Sequence, residues 1–158
     1  MKPLVPLVPL ACLAVLLAGC ASAPAPLQGT YSPILPAEAA TRGATGERVR
    51  WGGQLVAVHN DASRSCFEVV GKALGYDGRP QVRDHSEGRF IACRAGFYDP
   101  AVFTAGREVT VVGAIAGFET RRIDAYDYRY PQVTADVVYL WPERRDRDYV
   151  VERPWFVW

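Results

Sequence analysis

A strand that carries two adjacent glycines in its middle has to bend, and such a strand opens the folded part of this chain. Residues 48–59 (RVRWGGQLVAVH) alternate apolar and polar side chains, which is typical of a strand with one face turned inward. Gly52 and Gly53 interrupt that alternation. Paired glycines within a strand usually mark a bulge or a sharp coil where a sheet curls into a barrel. We therefore interpret both glycines as structural and predict a curled sheet.

Alternating or β-rich patterns predict four more strands, with turn signals between them. These strands cover residues 66–74, 89–95, 108–120 and 132–141. The fourth strand contains Gly113 and Gly117, where we expect it to bend. Before it, Asp99 and Pro100 predict the start of a short helix that ends at Gly106. This pattern indicates a helix because Asp caps helices, Pro suits their first turn and Gly their end.

The order of three strands, a short helix and two strands predicts an all-β fold, a small five-stranded Greek-key barrel of the OB-fold type. Closing the sheet into a barrel removes its exposed edges and lets a domain of this size bury a core. An immunoglobulin-like sandwich is the alternative. That fold has about seven strands, whereas the patterns here indicate five.

The first twenty residues are typical of a bacterial export signal. Lys2 precedes an apolar run over residues 10–18, and small residues then lead to Cys20. Prolines at positions 3, 6 and 9 leave too short an apolar helix to span a membrane, which takes about 20 residues. Leu17-Ala18-Gly19-Cys20 matches the lipobox, the pattern after which lipoprotein signal peptides are removed. A retained anchor helix and a soluble secreted protein are the alternatives.

Cleavage before Cys20 would leave a diacylglycerol on its sulfur and an acyl chain on its new amino group. Such a set of chains exceeds the two signals that stable membrane anchoring requires. Ala21 follows, rather than the Asp that typically retains lipoproteins in the inner membrane. We therefore expect attachment to the outer membrane, with the protein facing the periplasm. Apart from these covalent acyl groups we expect no cofactor.

Composition divides the chain into four parts. Residues 1–19 form the predicted signal peptide, and residues 20–46, rich in Ala, Pro, Ser, Thr and Gly, form a predicted flexible lipidated linker. Within the linker, residues 31–38 could lie against the domain as a short arm or belong to a solvated spacer. Residues 47–141 form the predicted barrel domain, and residues 142–158 a charged and aromatic tail.

Several short motifs resemble one bacterial family. They are Arg50-Trp51-Gly52-Gly53, Gly88-Arg89-Phe90-Ile91-Ala92, Gly96-Phe97-Tyr98-Asp99-Pro100, the strand over residues 109–113 and Trp141. In this order and behind a lipobox they resemble the Slp family, the starvation-inducible outer-membrane lipoproteins of Gram-negative bacteria. The resemblance implies an outer-membrane address and a link to starvation and acid stress, and no catalytic activity is established for the family. This chain departs from better-known members in its arginine-rich C-terminal stretch and in Cys66 and Cys93.

Cys66 and Cys93 fall on the second and third predicted strands, which a hairpin would place side by side. In an oxidising periplasm two cysteines in a small domain most often pair. We therefore predict a disulfide between Cys66 and Cys93. Free buried thiols are one alternative, and a redox or metal role, which no C-x-x-C motif supports, is the other.

Charge and motifs argue against several functions. With 18 Lys and Arg against 17 Asp and Glu, the chain has no basic field to attract nucleic acid, and we expect no nucleic-acid partner. Asp84, His85 and Glu87 could resemble a metal cluster, but zinc needs three or four converging ligands. We therefore predict a solvated loop and no metal site. Neither Ser63 nor Ser65 lies in a Gly-x-Ser-x-Gly elbow and no phosphate-binding glycine loop is present, so we predict no catalytic residues.

Aromatic residues supply a candidate ligand or partner surface. Tyr126, Tyr128 and Tyr130 alternate with Asp127 and Arg129, which would place the three tyrosines on one face of a strand. OB-type barrels use aromatic and arginine side chains to hold sugars or single-stranded nucleic acid, and a glycan is the ligand that the periplasm favours. Core packing or cover for a hairpin is the structural alternative.

The tail ends in a second aromatic group, formed by Trp155, Phe156 and Trp158. Exposing these side chains to water would be costly unless something covers them. They could pack back on the barrel, contact a partner protein or rest at the membrane interface, where Trp is favoured.

Two functions remain open at this point. The first is a non-enzymatic outer-membrane lipoprotein that is tethered by acylated Cys20 and serves as an envelope interaction and stress-tolerance module with an envelope protein partner. The second is a lipoprotein that binds a glycan, lipid or other small ligand on its barrel face. We prefer the first because the resemblance supports it and no ligand motif stands out.

Overall fold

The computed structural model describes residues 22–144. They contain a 3-10 helix at Ala25–Leu27, the helix α1 at Pro36–Arg42 and five strands: β1 Arg48–Asn60, β2 Arg64–Lys72, β3 Arg89–Ala95, β4 Glu108–Ile123 and β5 Tyr126–Leu140. Neither helix in this range is long or apolar enough to cross a membrane. The predicted signal peptide, Cys20 and the tail aromatics Trp155, Phe156 and Trp158 lie outside the described residues.

The five strands form a closed barrel in the order β1-β2-β3-β5-β4. Neighbouring strands are antiparallel, including the β1–β4 pair that closes the barrel. The exception is β3 and β5, which run parallel over three residue pairs. A five-stranded Greek-key barrel of this kind is an OB-type arrangement, so the predicted fold class is confirmed. The sandwich alternative is wrong, because the strands form one closed sheet.

Close backbone contacts explain the glycines in the bent strands. β1 pairs with both β2 and β4 at Gly52 and Gly53, so the two neighbouring strands converge on these residues. A Cβ at Gly53 would lie 1.9 Å from the carbonyl oxygen of Val70. In β4, a Cβ at Gly113 would lie 2.2 Å from the carbonyl oxygen of Thr134. These positions can hold only glycine without moving a strand, which agrees with the structural interpretation.

Apolar side chains from all five strands fill the barrel, because the inward side of each strand carries the hydrophobic half of its alternation. The buried set comprises Val49, Trp51, Leu55, Phe67, Val69, Phe90, Ala92, Val109, Val111, Ile115, Val133, Ala135 and Val138. At one end α1 adds Ala39, and Ile34 just before the helix accepts a hydrogen bond of 2.8 Å from the indole Nε1 of Trp51. The helix therefore closes this end of the barrel.

The short helix lies at a different place from the one predicted. Residues 99–106 form turns rather than a helix. The carbonyl oxygen of Asp99 accepts hydrogen bonds of 2.9 Å from the amides of Val102 and Phe103, and its carboxylate accepts one from Ala101. The predicted cap is thus present, but the helix stops after one turn.

An aromatic cluster explains why that helix does not continue. The rings of Phe67, Tyr98 and Phe103 lie 5.1 to 5.4 Å apart, centroid to centroid, at the second end of the barrel. Placing Tyr98 and Phe103 on Phe67 requires the chain to turn back between them. Side chains of this turn therefore close the second end of the barrel.

The segment before β1 is built onto the barrel. Leu27 and Ala39 are fully buried, and the amide of Ser32 donates a hydrogen bond of 2.8 Å to the carbonyl oxygen of Arg48. Leu27 packs with Val112 and Trp141 on the outer side of the sheet. Residues 31–38 thus lie against the domain rather than in a solvated spacer, and the packed segment extends over residues 22–46, which we call the arm. Over residues 22–46 the expected flexible linker is corrected, because its apolar side chains cover outward-facing apolar residues of the barrel.

The last two strands extend further than predicted. β4 continues to Ile123 and β5 already begins at Tyr126, so residues 121–131, which lie between the two predicted strands, form a hairpin. Asp124 makes the tight turn with a φ of 52°, a conformation that Asp tolerates better than most residues. The guanidinium of Arg129 stacks on Phe118 at 4.3 Å from the ring centroid. The same group donates a hydrogen bond to a backbone carbonyl oxygen of α1, which ties the hairpin to the arm.

Candidate functional site

The three tyrosines at the start of β5 occupy the outer side of the barrel and become progressively buried along the strand. Tyr126, at the hairpin tip, is 78% exposed, Tyr128 is half-buried and Tyr130 is only 1% exposed. The rings of Tyr128 and Tyr130 lie 5.0 Å apart in an edge-on arrangement. We call these three residues the tyrosine face.

Tyr130 is held by two residues from other strands. Its hydroxyl donates a hydrogen bond of 2.8 Å to Oε1 of Glu68 on β2, and Nη1 of Arg89 on β3 donates to the same oxygen at 2.9 Å. Since β3 lies between β2 and β5, the Tyr130 side chain spans the outer surface of β3. Ile91 points outward there and is 1% exposed. Burial, reinforced by the hydrogen bond to Glu68, raises the pKa of Tyr130 above its ordinary value.

Tyr128 completes the short contact between β3 and β5. The parallel pairing covers only Ile91 to Cys93 on β3, so the amide of Arg89 lies beyond the ladder. That amide donates a hydrogen bond of 2.9 Å to the hydroxyl of Tyr128. The hydroxyl of Tyr128 thus replaces the backbone acceptor that a longer β3–β5 ladder would have offered. The amide of Arg89 therefore keeps a hydrogen-bond partner.

A second carboxylate lies beside the tyrosine face on the hairpin. Glu119 accepts hydrogen bonds from Nε of Arg121, at 2.8 Å, and from the amide of Gln132. The hydrogen bond from Arg121 lowers the pKa of the Glu119 carboxyl below its ordinary range, and the Gln132 contact acts in the same direction. The carboxylates of Glu68 and Glu119 are therefore already bound by protein donors.

Tyr128 and Tyr130 pack as cover for the hairpin, which was the structural alternative to a ligand surface for these residues. Tyr126 remains as the exposed member of the tyrosine face. A ligand or partner at the tyrosine face stays a prediction, and its accessible part is the hairpin tip around Tyr126.

We expect Tyr130→Phe to lower the free energy of unfolding by about 1 to 2 kcal/mol, because a buried hydroxyl loses a hydrogen bond to a carboxylate. The raised pKa adds a pH dependence. The contribution of neutral Tyr130 is fully present below pH 10 and is lost as the pH rises through its folded pKa. Urea denaturation at pH 7 measures the loss, with Tyr126→Phe as the matched exposed control. Equal stabilities of the two variants would contradict the role assigned to Tyr130.

A groove with a volume of about 580 Å³ lies between the arm and the barrel. Its lining includes Tyr31, Leu35, Arg50, Trp51, Lys72 and Leu74. Nη1 of Arg50 donates to the carbonyl oxygen of Leu27 at 3.0 Å, and the ammonium of Lys72 donates to that of Arg83 at 2.7 Å. The two cationic side chains that would attract an anionic ligand therefore already donate to backbone oxygens. Arg50 donates to the arm, and Lys72 donates to the loop that follows β2.

The structure contains the predicted disulfide. Cys66 and Cys93 are directly opposite each other on β2 and β3, with their Cα atoms 4.0 Å apart, and their sulfurs are bonded. The pairing prediction is therefore confirmed. Among residues 22–144 the structure brings together no group of three or more potential metal ligands, and His59 is exposed at the end of β1.

Glu68 and Arg89, which hold the tyrosine face, were not among the site residues predicted from the sequence. A signal was present, because Glu68 alternates with buried Phe67 and Val69 and must therefore point outward. The pattern could not name its partner Tyr130, which lies 62 residues away in the sequence.

The chain is similar to several known proteins. It is 33% identical over 121 residues to the uncharacterized lipoprotein YeaY of Escherichia coli (strain K12), an alignment that covers 74% of this chain and 62% of YeaY. It is 32% identical over 140 residues to an uncharacterized protein of Haemophilus influenzae, covering 84% and 74% of the two chains. It is 27% identical over 134 residues to the outer membrane protein Slp of Escherichia coli, covering 82% and 71%. The chain thus spans less than two thirds of the length of YeaY.

The chain is also similar to a solved structure, the crystal structure of a small single-stranded DNA-binding protein from Streptomyces coelicolor. The identity is 13% and the TM-score 0.40, over 60% of this chain and 94% of that chain. The assignment of the fold rests on the strand pairing alone.

The family comparison covers most of the chain. The model of the outer membrane lipoprotein Slp family matches residues 17–158, from the lipobox through the barrel and the tail. This range includes the motifs that suggested the resemblance. On this match, the chain belongs to the Slp family of outer membrane lipoproteins.

Proposed function

We propose that this protein is a non-enzymatic lipoprotein that an acylated Cys20 holds on the periplasmic side of the outer membrane. There it presents its barrel as an interaction module that contributes to envelope stress tolerance, with an envelope protein as partner. Family membership supports the membrane address, and the geometry of the arm supports a role close to the membrane.

The arm is the observation that carries this proposal. From Ala23 onward the chain is packed on the barrel, with Leu27 fully buried beside Trp141. Cys20 precedes the first described residue, Ser22, by two residues, which can span at most about 7 Å. A lipid on Cys20 would therefore hold the barrel at the membrane surface, without a long spacer that would let it reach across the periplasm.

The polar groups support a non-enzymatic role. Glu68, Glu108 and Glu119 are each paired with arginine. The hydroxyl of Ser65 is buried and donates to the carbonyl oxygen of Gly96, and that of Ser63 donates to Asp61. A nucleophile needs an adjacent free base, whereas these hydroxyls are engaged in turns. Their contacts are those of structural residues.

The alternative, a lipoprotein that binds a glycan, lipid or other small ligand, has one observation in its favour. The groove between arm and barrel, at about 580 Å³, falls within the size range of small-molecule sites. Its two cationic side chains, Arg50 and Lys72, already donate to backbone oxygens. A ligand would have to displace those contacts, so the geometry supports the interaction module better.

A Cys20→Ser substitution tests the tether. In separated membranes we expect the wild-type protein in the outer-membrane fraction, with an intact mass that shows acylation at Cys20 and loss of residues 1–19. Cys20→Ser should abolish acylation and remove the protein from that fraction, because the acyl chains supply the membrane affinity. An unmodified wild-type chain, or one that keeps residues 1–19, would contradict the proposal. Crosslinking in intact cells, with wild type and variant side by side, then identifies the protein partner.

A further inference from the structure

Both ends of the described chain meet at one loop between β2 and β3. A Cβ at Gly78 would lie 3.4 Å from the Cβ of Ala23, so the start of the arm touches this loop. At the other end, Nη2 of Arg144 donates a hydrogen bond of 2.8 Å to the carbonyl oxygen of Pro80. We call residues 75–82 the anchor-side loop, since the chain enters from Cys20 beside it and continues into the tail beside it.

The anchor-side loop is a fixed turn. The amide of Gly78 donates to the carbonyl oxygen of Gly75 at 2.9 Å, and the amide of Gly75 donates to that of Arg79 at 2.8 Å. The hydroxyl of Thr110, buried on β4, donates to the carbonyl oxygen of Gly78 at 2.8 Å, and the indole of Trp141 donates to the same hydroxyl. The loop therefore presents its side chains in a set orientation on the barrel.

Two apolar side chains project from this fixed loop. Tyr76 is 84% exposed and Val82 is 59% exposed. Tyrosine has an apolar ring and a polar hydroxyl, and it is enriched where proteins meet the headgroup region of membranes. A rigid turn that exposes a tyrosine beside a lipid anchor can insert it at a small cost in conformational entropy.

The charges around the loop are largely paired. Oε2 of Glu108 accepts a hydrogen bond from Nε of Arg79 at 2.7 Å, and Oε1 accepts one from Nε of Arg144 at 2.9 Å. Asp77 lies beside Arg79 at the turn and accepts a hydrogen bond from its amide. Among residues 22–144 these pairs leave no cluster of free cationic side chains on the loop, so apolar burial is its means of contact.

We propose that the anchor-side loop rests in the headgroup region of the phospholipid membrane that carries Cys20, with Tyr76 and Val82 inserted at the interface. This inference rests on the proposed function, because it needs an acylated Cys20 about 7 Å or less from Ser22. The loop is then a second contact with the bilayer that sets the orientation of the barrel. The hairpin tip with Tyr126 points away from the membrane, since it lies at the opposite end of β4 and β5 from Glu108 and Trp141.

Site-specific photocrosslinking tests the orientation in the full-length acylated protein. A photoreactive benzoylphenylalanine replaces Tyr76 in one sample and Tyr126 in the other, a matched control because both tyrosines are exposed and aromatic. Cells are irradiated, and the masses of crosslinked protein distinguish a phospholipid adduct from a protein adduct. We expect a several-fold higher yield of phospholipid adduct at position 76 than at position 126, with little change on adding salt.

The outcomes separate this inference from the proposed function. Equal phospholipid yields at the two positions, or a protein adduct as the main product at position 76, would overturn the inference. The intact mass of the N-terminus, taken from the same samples, reports the tether independently. An acylated N-terminus with no lipid adduct at position 76 leaves the tether standing and removes the second contact. An unmodified N-terminus overturns both.

Discussion

Replacing Gly53 by alanine is expected to cost at least about 3 kcal/mol of the free energy of unfolding, a large part of the 5 to 15 kcal/mol that typically stabilises a domain. The added Cβ would lie 1.9 Å from the carbonyl oxygen of Val70 and 3.0 Å from the Cα of Gly71. Both atoms belong to the backbone of β2, which is hydrogen-bonded to β1 at this point. No side-chain rotation relieves such a contact, so β1 and β2 have to separate locally.

Gly117→Ala is the matched control for this experiment. Gly117 also lies within a strand, and a Cβ there would meet nothing within 4 Å. We expect this variant to be unchanged or more stable by a few tenths of a kcal/mol, because alanine reduces the freedom of the unfolded chain. Urea denaturation of wild type, Gly53→Ala and Gly117→Ala measures the difference. If Gly53→Ala were as stable as Gly117→Ala, the close approach of β1 and β2 could not be what requires glycine.

Removing the disulfide is expected to cost about 3 to 4 kcal/mol, the loop-closure entropy for a bridge between residues 27 apart. The Cys66–Cys93 bond stabilises the barrel mainly by lowering the conformational entropy of the unfolded chain. It does so because it closes the long polar segment between β2 and β3 into a loop. The double variant Cys66→Ser, Cys93→Ser should therefore unfold at a clearly lower urea concentration than the oxidised wild type. The strand pairing around both positions should remain, since the two residues are opposite each other in the ladder.

Reduced wild type is the control for the disulfide prediction. It lacks the covalent bond but keeps both sulfur atoms. Its free energy of unfolding should therefore differ from that of the double serine variant by only a fraction of the expected loss. Oxidised and reduced wild type with the same urea midpoint would refute the prediction. A stable reduced protein beside an unstable serine variant would instead point to packing of the sulfurs on the outer side of the sheet.

Several parts of the architecture could be predicted because they depend on neighbours in the sequence. β3 was predicted with the bounds that it has, Arg89–Ala95, since a short, largely apolar segment lies between clear turn signals. The disulfide followed from two cysteines on strands that a hairpin pairs. The glycines of β1 indicated bending, and the structure places the backbones of both neighbouring strands against them.

Other parts could not be predicted, because they depend on residues far apart. The pattern at Asp99 and Pro100 predicted a short helix, but only a capped turn forms there, with Tyr98 and Phe103 packed on Phe67. The composition of residues 22–46 is that of a linker, yet Leu27 is buried because an apolar patch of the barrel is available to it.

Local patterns were enough to predict the number and order of the strands and the disulfide, and the family match gives the class of outer-membrane lipoprotein. The cover on the outer side of the barrel depends instead on tertiary contacts: Tyr130 reaches across β3 to Glu68, and the arm packs over Val112 and Trp141. Alternation along a strand specifies which side chains point inward. The partner of an outward side chain depends on which distant segment the closed sheet brings beside it, and no local pattern contains that information.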